Sequence, residues 1–120
     1  MNHKQKDLIF IYNAKNGIFN ELLDYAHKIL SPETYDCSLC KLTYNNFGKI
    51  RKWKEFLDSL HFNIIFTYKN NLKKLELNDE IKLPAVLLDY DNLLISSVEI
   101  NMCNNLDELM QILKSKIESL

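Results

Sequence analysis

The chain has 120 residues, 47% of them hydrophobic, enough for one core and too few for two, so a single domain spanning 1–120 is expected. Its 15 Lys and Arg nearly balance 16 Asp and Glu. That leaves no chain-wide attraction to phosphate or to an anionic membrane, and argues against a nucleic-acid partner.

Taken in chain order, Asp7 to Asn13 holds five consecutive apolar residues, Leu8-Ile9-Phe10-Ile11-Tyr12, flanked by polar ones. Such a run predicts a strand buried on both faces in the middle of a sheet. It is shorter than a signal-peptide core and is followed by no small-residue cleavage site, and no stretch approaches the roughly 20 apolar residues of a membrane span. A cytoplasmic setting is therefore expected, where thiols stay reduced unless they are catalytic or sensing. The turn Asn13-Ala14-Lys15-Asn16-Gly17 follows the strand, where open α/β sheets place ligands, so Asn13, Lys15 and Asn16 are candidate substrate contacts. With Gly17 and Gly48 as its two glycines, the chain has neither a G-x-x-x-x-G-K-[ST] loop nor a G-x-G-x-x-G turn, which excludes the common nucleotide-binding designs.

From Gly17, Ile18/Phe19, Leu22/Leu23, Ala26 and Ile29/Leu30 form a helical stripe that stops at Ser31-Pro32, because proline disfavours helix in the residue before it. His27 lies on this helix. It is a candidate base for a thiol, although a helix-borne histidine more often packs or faces solvent.

Cys37-Ser38-Leu39-Cys40 is the most informative motif of the chain. Two thiols two residues apart can close a small disulfide ring or grip a soft metal. If Asp36 caps a short helix from Cys37, backbone N–H groups would stabilise a thiolate there; Cys37 is then the nucleophile and Cys40 the resolving thiol. Asp36 opposes this with its own charge, and Lys41 offsets it. A structural zinc site needs four ligands, and beyond the pair only Cys103, His27 and His61 remain as candidates, which favours redox chemistry with no metal and no cofactor. An inert buried pair is the bland alternative. Three cysteines, an odd number, argue against a structural disulfide framework.

A second stripe, Phe47, Ile50, Trp53, Leu57 and Leu60, predicts a helix with Lys49, Arg51, Lys52 and Lys54 on a solvated outer face. Phe62 to Tyr68 reads as a second strand, and Asn71 to Leu77 as a short helix or an irregular connection. Leu83 to Leu88 and Leu93 to Ile95 are apolar runs separated by Asp89-Tyr90-Asp91-Asn92, a hairpin signal. The last helix opens at Asn104-Asn105-Leu106-Asp107-Glu108 with an Asn cap and an acidic first turn, and runs to the C-terminus. Leu8, Phe10, Leu87 and Leu94 are expected in the core. Tyr12, Tyr35, Tyr44 and Trp53 read as core or loop anchors.

This order of elements resembles the thioredoxin fold with an extra segment between its first two strands. The resemblance implies an α/β fold, a four-stranded mixed sheet flanked by helices, with an inserted CxxC loop and an extra helix. Leu83-Pro84-Ala85-Val86 matches the proline, usually cis, that thioredoxin-like proteins place before the third strand; Pro84 would then help an extended substrate pair with the neighbouring backbone. Thioredoxins carry the dithiol directly after the first strand, whereas here Asn13 to Gly17 fills that place. The segments Ile11-Tyr12-Asn13-Ala14, Ala26-His27-Lys28, Ser31 to Cys40 and Leu42-Thr43-Tyr44 resemble a family of small bacterial proteins of uncharacterised activity, sometimes labelled GTPase, a label the missing phosphate loop does not support. A thiol–disulfide oxidoreductase or redox sensor acting on a thiol-bearing protein or small thiol is expected. The alternative is a non-catalytic binding module that holds a protein partner, or a metal through its thiols. In this topology Ser31 to Asn46 must climb back across the domain. That would bring Cys37 and Cys40 toward the sheet edge carrying Asn13 and Pro84, with Cys103 as a third thiol nearby.

Overall fold

Leu8 to Tyr12 are fully buried, so the first strand needs cover on both faces as well as a partner on each side. A computed structural model describes residues 6–13, 38–45, 48–77 and 80–120. In chain order its elements are β1 (Asp7–Tyr12), α1 (Ser38–Thr43), β2 (Tyr44–Asn45), β3 (Gly48–Lys49), α2 (Arg51–Asp58), β4 (Asn63–Tyr68), β5 (Ala85–Leu88), β6 (Asn92–Ile95), α3 (Ser97–Asn101) and α4 (Leu106–Glu118). The main sheet has the order β4-β1-β5-β6. β1 lies parallel to β4 and antiparallel to β5, and β5 is antiparallel to β6, so the sheet is mixed and β1 is internal as its composition predicts.

Alternation along β1 sorts its side chains into two cores. Leu8, Phe10 and Tyr12 join Leu39 and Cys40 of α1, Trp53 and Leu57 of α2, Ile100 of α3, and Leu109 and Leu113 of α4. Ile9 and Ile11 meet Leu87 of β5 and, from the connection after β4, Leu72 and Leu77. Each fully buried Leu, Ile or Phe contributes about 1.5–3 kcal/mol relative to exposure, so the first cluster dominates the fold. Its centre is aromatic: Phe10 meets Trp53 edge-on at 5.4 Å and stacks on Phe66 at 5.5 Å.

Local signals set the helix boundaries. Asn105 caps α4 by accepting from the Glu108 N–H at 2.9 Å, as its sequence predicts. α3 opens with a capping box in which Ser96 Oγ accepts from the Glu99 N–H and the Glu99 carboxylate accepts from the Ser96 N–H.

Several expectations shift. The helix placed on the Phe47 stripe begins at Arg51, because Gly48–Lys49 pairs with Tyr44–Asn45 in a small hairpin whose ends are tied by Ile50 N–H donating to Thr43 O at 2.8 Å. Lys49 thus belongs to a strand, while Arg51, Lys52 and Lys54 do lie on the exposed face of α2. After β4 the chain makes one 3-10 turn at Lys69–Asn71 and continues irregularly. β5 starts at Ala85, after a cis Leu83–Pro84 bond. Leu94 is half-buried rather than buried. Leu87 faces Leu93 while Val86 faces Ile95, so Leu94 is the extra residue of a bulge on an edge strand.

Candidate functional site

The C-terminal end of β1 holds two of the candidate residues, Asn13 and Pro84. Tyr12 is paired with Tyr68 of β4, and Ile11 with Ala85 of β5, so Tyr12 and Pro84 stand side by side where the ladder ends. Pro84 is buried and Asn13, the next residue of the β1 chain, is half-buried. Because Val86 faces Ile95, the chain also leaves β6 at this end and turns into Ser96 and α3. One edge therefore holds Asn13, Pro84 and the start of α3, as strand direction requires.

α1 comes to this end of the sheet by two hydrogen-bond links. The Ser38 hydroxyl donates to Asn101 Oδ1 of α3 at 2.5 Å. At the other end of the helix, Thr43 spends its one hydroxyl hydrogen on Leu39 O at 2.7 Å, so Tyr12 is the donor in the buried Tyr12 Oη to Thr43 Oγ1 contact at 3.4 Å. Between these links α1 turns Leu39, Cys40 and Thr43 inward. Cys40 is 2% exposed and takes part in a disulfide. The segment carrying the second cysteine of the motif thus returns to the element that follows β6.

Cys103 is a free thiol, two residues past α3. It is half-buried at the margin of the cluster that includes Cys40, and its Sγ–H donates to Glu99 O at 3.5 Å. Burial pushes its pKa up, and the neighbouring carboxylates of Glu108 and Glu99 push it further, so the protonated thiol dominates at neutral pH. No bond joins Cys103 to Cys40.

Cys37, Lys15, Asn16 and His27 lie outside the described residues, as does Tyr35. Trp53 and Tyr12 are fully buried core anchors. Among the described residues no three His, Cys, Asp or Glu side chains cluster as metal ligands, and no helix is long and apolar enough to cross a membrane. On the basic face of α2, Lys52 pairs with Asp107 of α4.

Sequence reasoning missed Ser38, Asn101 and the whole of α3. Ser96-Ser97-Val98-Glu99 carried the signal, a Ser three residues before a Glu ahead of an apolar position. The Ser38–Asn101 contact spans 63 positions and has no local signature. Compared with family models, curated proteins and solved structures, the chain finds no match.

Proposed function

We propose that this is a cytoplasmic thioredoxin-like protein, akin to the small bacterial proteins its segments resemble, which uses Cys37 and Cys40 in thiol–disulfide exchange or redox sensing with a thiol-bearing protein or small thiol. The observation that carries the reading is the state of the cysteines: Cys40 is held in a disulfide on a helix docked at the Pro84 end of the sheet, while Cys103 remains a thiol. The strand order β4-β1-β5-β6, with its one parallel pair and with cis Pro84 heading β5, supports the fold analogy.

In the reducing direction, the Cys37 thiolate attacks one sulfur of the partner's disulfide. A mixed disulfide forms and one partner thiolate leaves. The Cys40 thiol, after losing its proton to solvent or a nearby base, then attacks the Cys37 sulfur and releases the second partner thiolate. Two electrons have passed to the partner, whose two thiolates take up protons, and a Cys37–Cys40 disulfide remains. Burial of Cys40 suits the resolving role, because a shielded thiol meets the Cys37 sulfur before it meets an outside oxidant. Pro84 and Asn13, at the same sheet end, are placed to orient the partner.

The same burial favours the second reading, a binding module that keeps the fold and an inert disulfide. Turnover on a small disulfide separates the two. Loss of turnover in Cys37→Ser, a trapped mixed disulfide in Cys40→Ser and unchanged turnover in Cys103→Ser are the expected results. Undiminished turnover in Cys37→Ser would remove the redox reading; a retained partner with no turnover in the wild type would favour the module.

A further inference from the structure

Among the described residues the sheet ends at β6, an edge strand whose protection lies in its short length and in its bulge. Its four residues, Asn92-Leu93-Leu94-Ile95, include neither lysine nor proline, the residues that commonly blunt an edge, and Leu93 is 58% exposed ahead of the bulge at Leu94. Beside it runs a groove of about 450 Å³ with Leu87 at its floor and Tyr90, Leu93 and Val98 along it. Val98 is 63% exposed. Tyr90 holds a left-handed backbone conformation, φ 71°, which is costly for a bulky residue and sets its ring at the groove.

We propose that β6 and this groove form the contact between two copies of the chain, joined antiparallel about a two-fold axis so that the two sheets become one. The charges select this occupant. The groove is lined by one cation, Lys82, and one carboxylate, Asp91, both exposed and neither in an ion pair among the described residues. An acidic or a basic partner would meet a like charge. A second copy offers each charge its opposite, making two symmetry-related Lys82–Asp91 pairings, and an antiparallel strand edge is self-complementary under the same symmetry. The surface is independent of the thiol chemistry, since it lies on the outer strand and involves no cysteine.

Sedimentation equilibrium of the full chain, with reductant present to exclude intermolecular disulfides, tests the proposal. The wild type is expected to dimerise, and Leu93→Lys to raise the dissociation constant by about tenfold or more. Val98→Lys, at another exposed position of the groove, gives the same expectation should Leu93→Lys prove poorly folded by circular dichroism. Lys82→Glu and Asp91→Lys should each weaken the dimer a few-fold, and the double reversal should restore it. A wild type still monomeric at about 1 mM would overturn the proposal. So would a dimer that tolerates the folded lysine variants, or a double reversal no tighter than the single ones.

Discussion

Trp53 offers a test in which two opposing effects have similar size. Its side chain is fully buried between Phe10, met edge-on, and Phe56, stacked at 6.0 Å, yet its Nε1–H has no hydrogen-bond partner among the described residues. Trp53→Phe removes the pyrrole part of the ring. A residual void of a few tens of Å³ costs on the order of 1 kcal/mol at roughly 24 cal/mol per Å³, and the lost apolar contact adds a similar amount. Against this, the substitution removes a buried unsatisfied donor whose desolvation costs about 1–3 kcal/mol. The balance predicts a Trp53→Phe protein within about 1 kcal/mol of the wild type, whereas Trp53→Ala, which empties the site, should lose about 3–5 kcal/mol. Because Trp53 is the only tryptophan, urea unfolding should be followed by far-ultraviolet circular dichroism rather than fluorescence. A loss of about 3 kcal/mol or more in Trp53→Phe would refute the reasoning, since it would mean that the indole N–H makes a valuable hydrogen bond in solution.

Asn105→Ala should cost about 1 kcal/mol in the same unfolding assay, because it leaves the Glu108 N–H without its cap. The Glu99 pKa is lowered, first by its hydrogen bond to Lys116 and then by the Ser96 N–H, so its contribution to stability is present at and above the ordinary carboxylate range and is lost as pH falls through its lowered pKa. With the Glu99 side chain 36% exposed, solvent screening holds that contribution below about 1 kcal/mol, and Glu99→Gln should flatten the acid limb of the stability profile by lowering the neutral plateau by up to that amount while leaving the low-pH end nearly unchanged. Cys103 should alkylate more slowly at neutral pH than an unstructured cysteine, its rate rising with pH beyond the ordinary thiol range, and Glu108→Gln should speed it.

What the sequence revealed followed physical rules that act locally. A run of five apolar residues has one economical place in a mixed sheet, and β1 occupies it. Asn105 announced its helix because a cap is a contact over three residues, and the two apolar runs around Asp89 to Asn92 announced their hairpin. Leu94 was misplaced because one extra residue in β6 defeats simple alternation, a slip visible only once β5 fixes the register. The helical stripe was traced back to Phe47 because apolar spacing alone does not mark where a two-residue strand intervenes. For the candidate site, Cys40, Pro84 and Asn13 were legible as residue types in telling places. The tie between Ser38 and Asn101 and the Tyr12–Thr43 link arise from chain return over long separations, and no spacing rule encodes them.

The central claim is that Cys37 and Cys40 form a reversible redox pair. Its most direct test equilibrates the protein in glutathione buffers spanning reducing to oxidising ratios, traps free thiols by alkylation under denaturing conditions and maps the cysteine peptides by mass spectrometry. The account predicts a Cys37–Cys40 link that appears and disappears reversibly across the series, with Cys103 carrying the alkyl group in the linked form. A link from Cys40 to Cys103, or Cys37 and Cys40 both alkylated at every ratio, would contradict it.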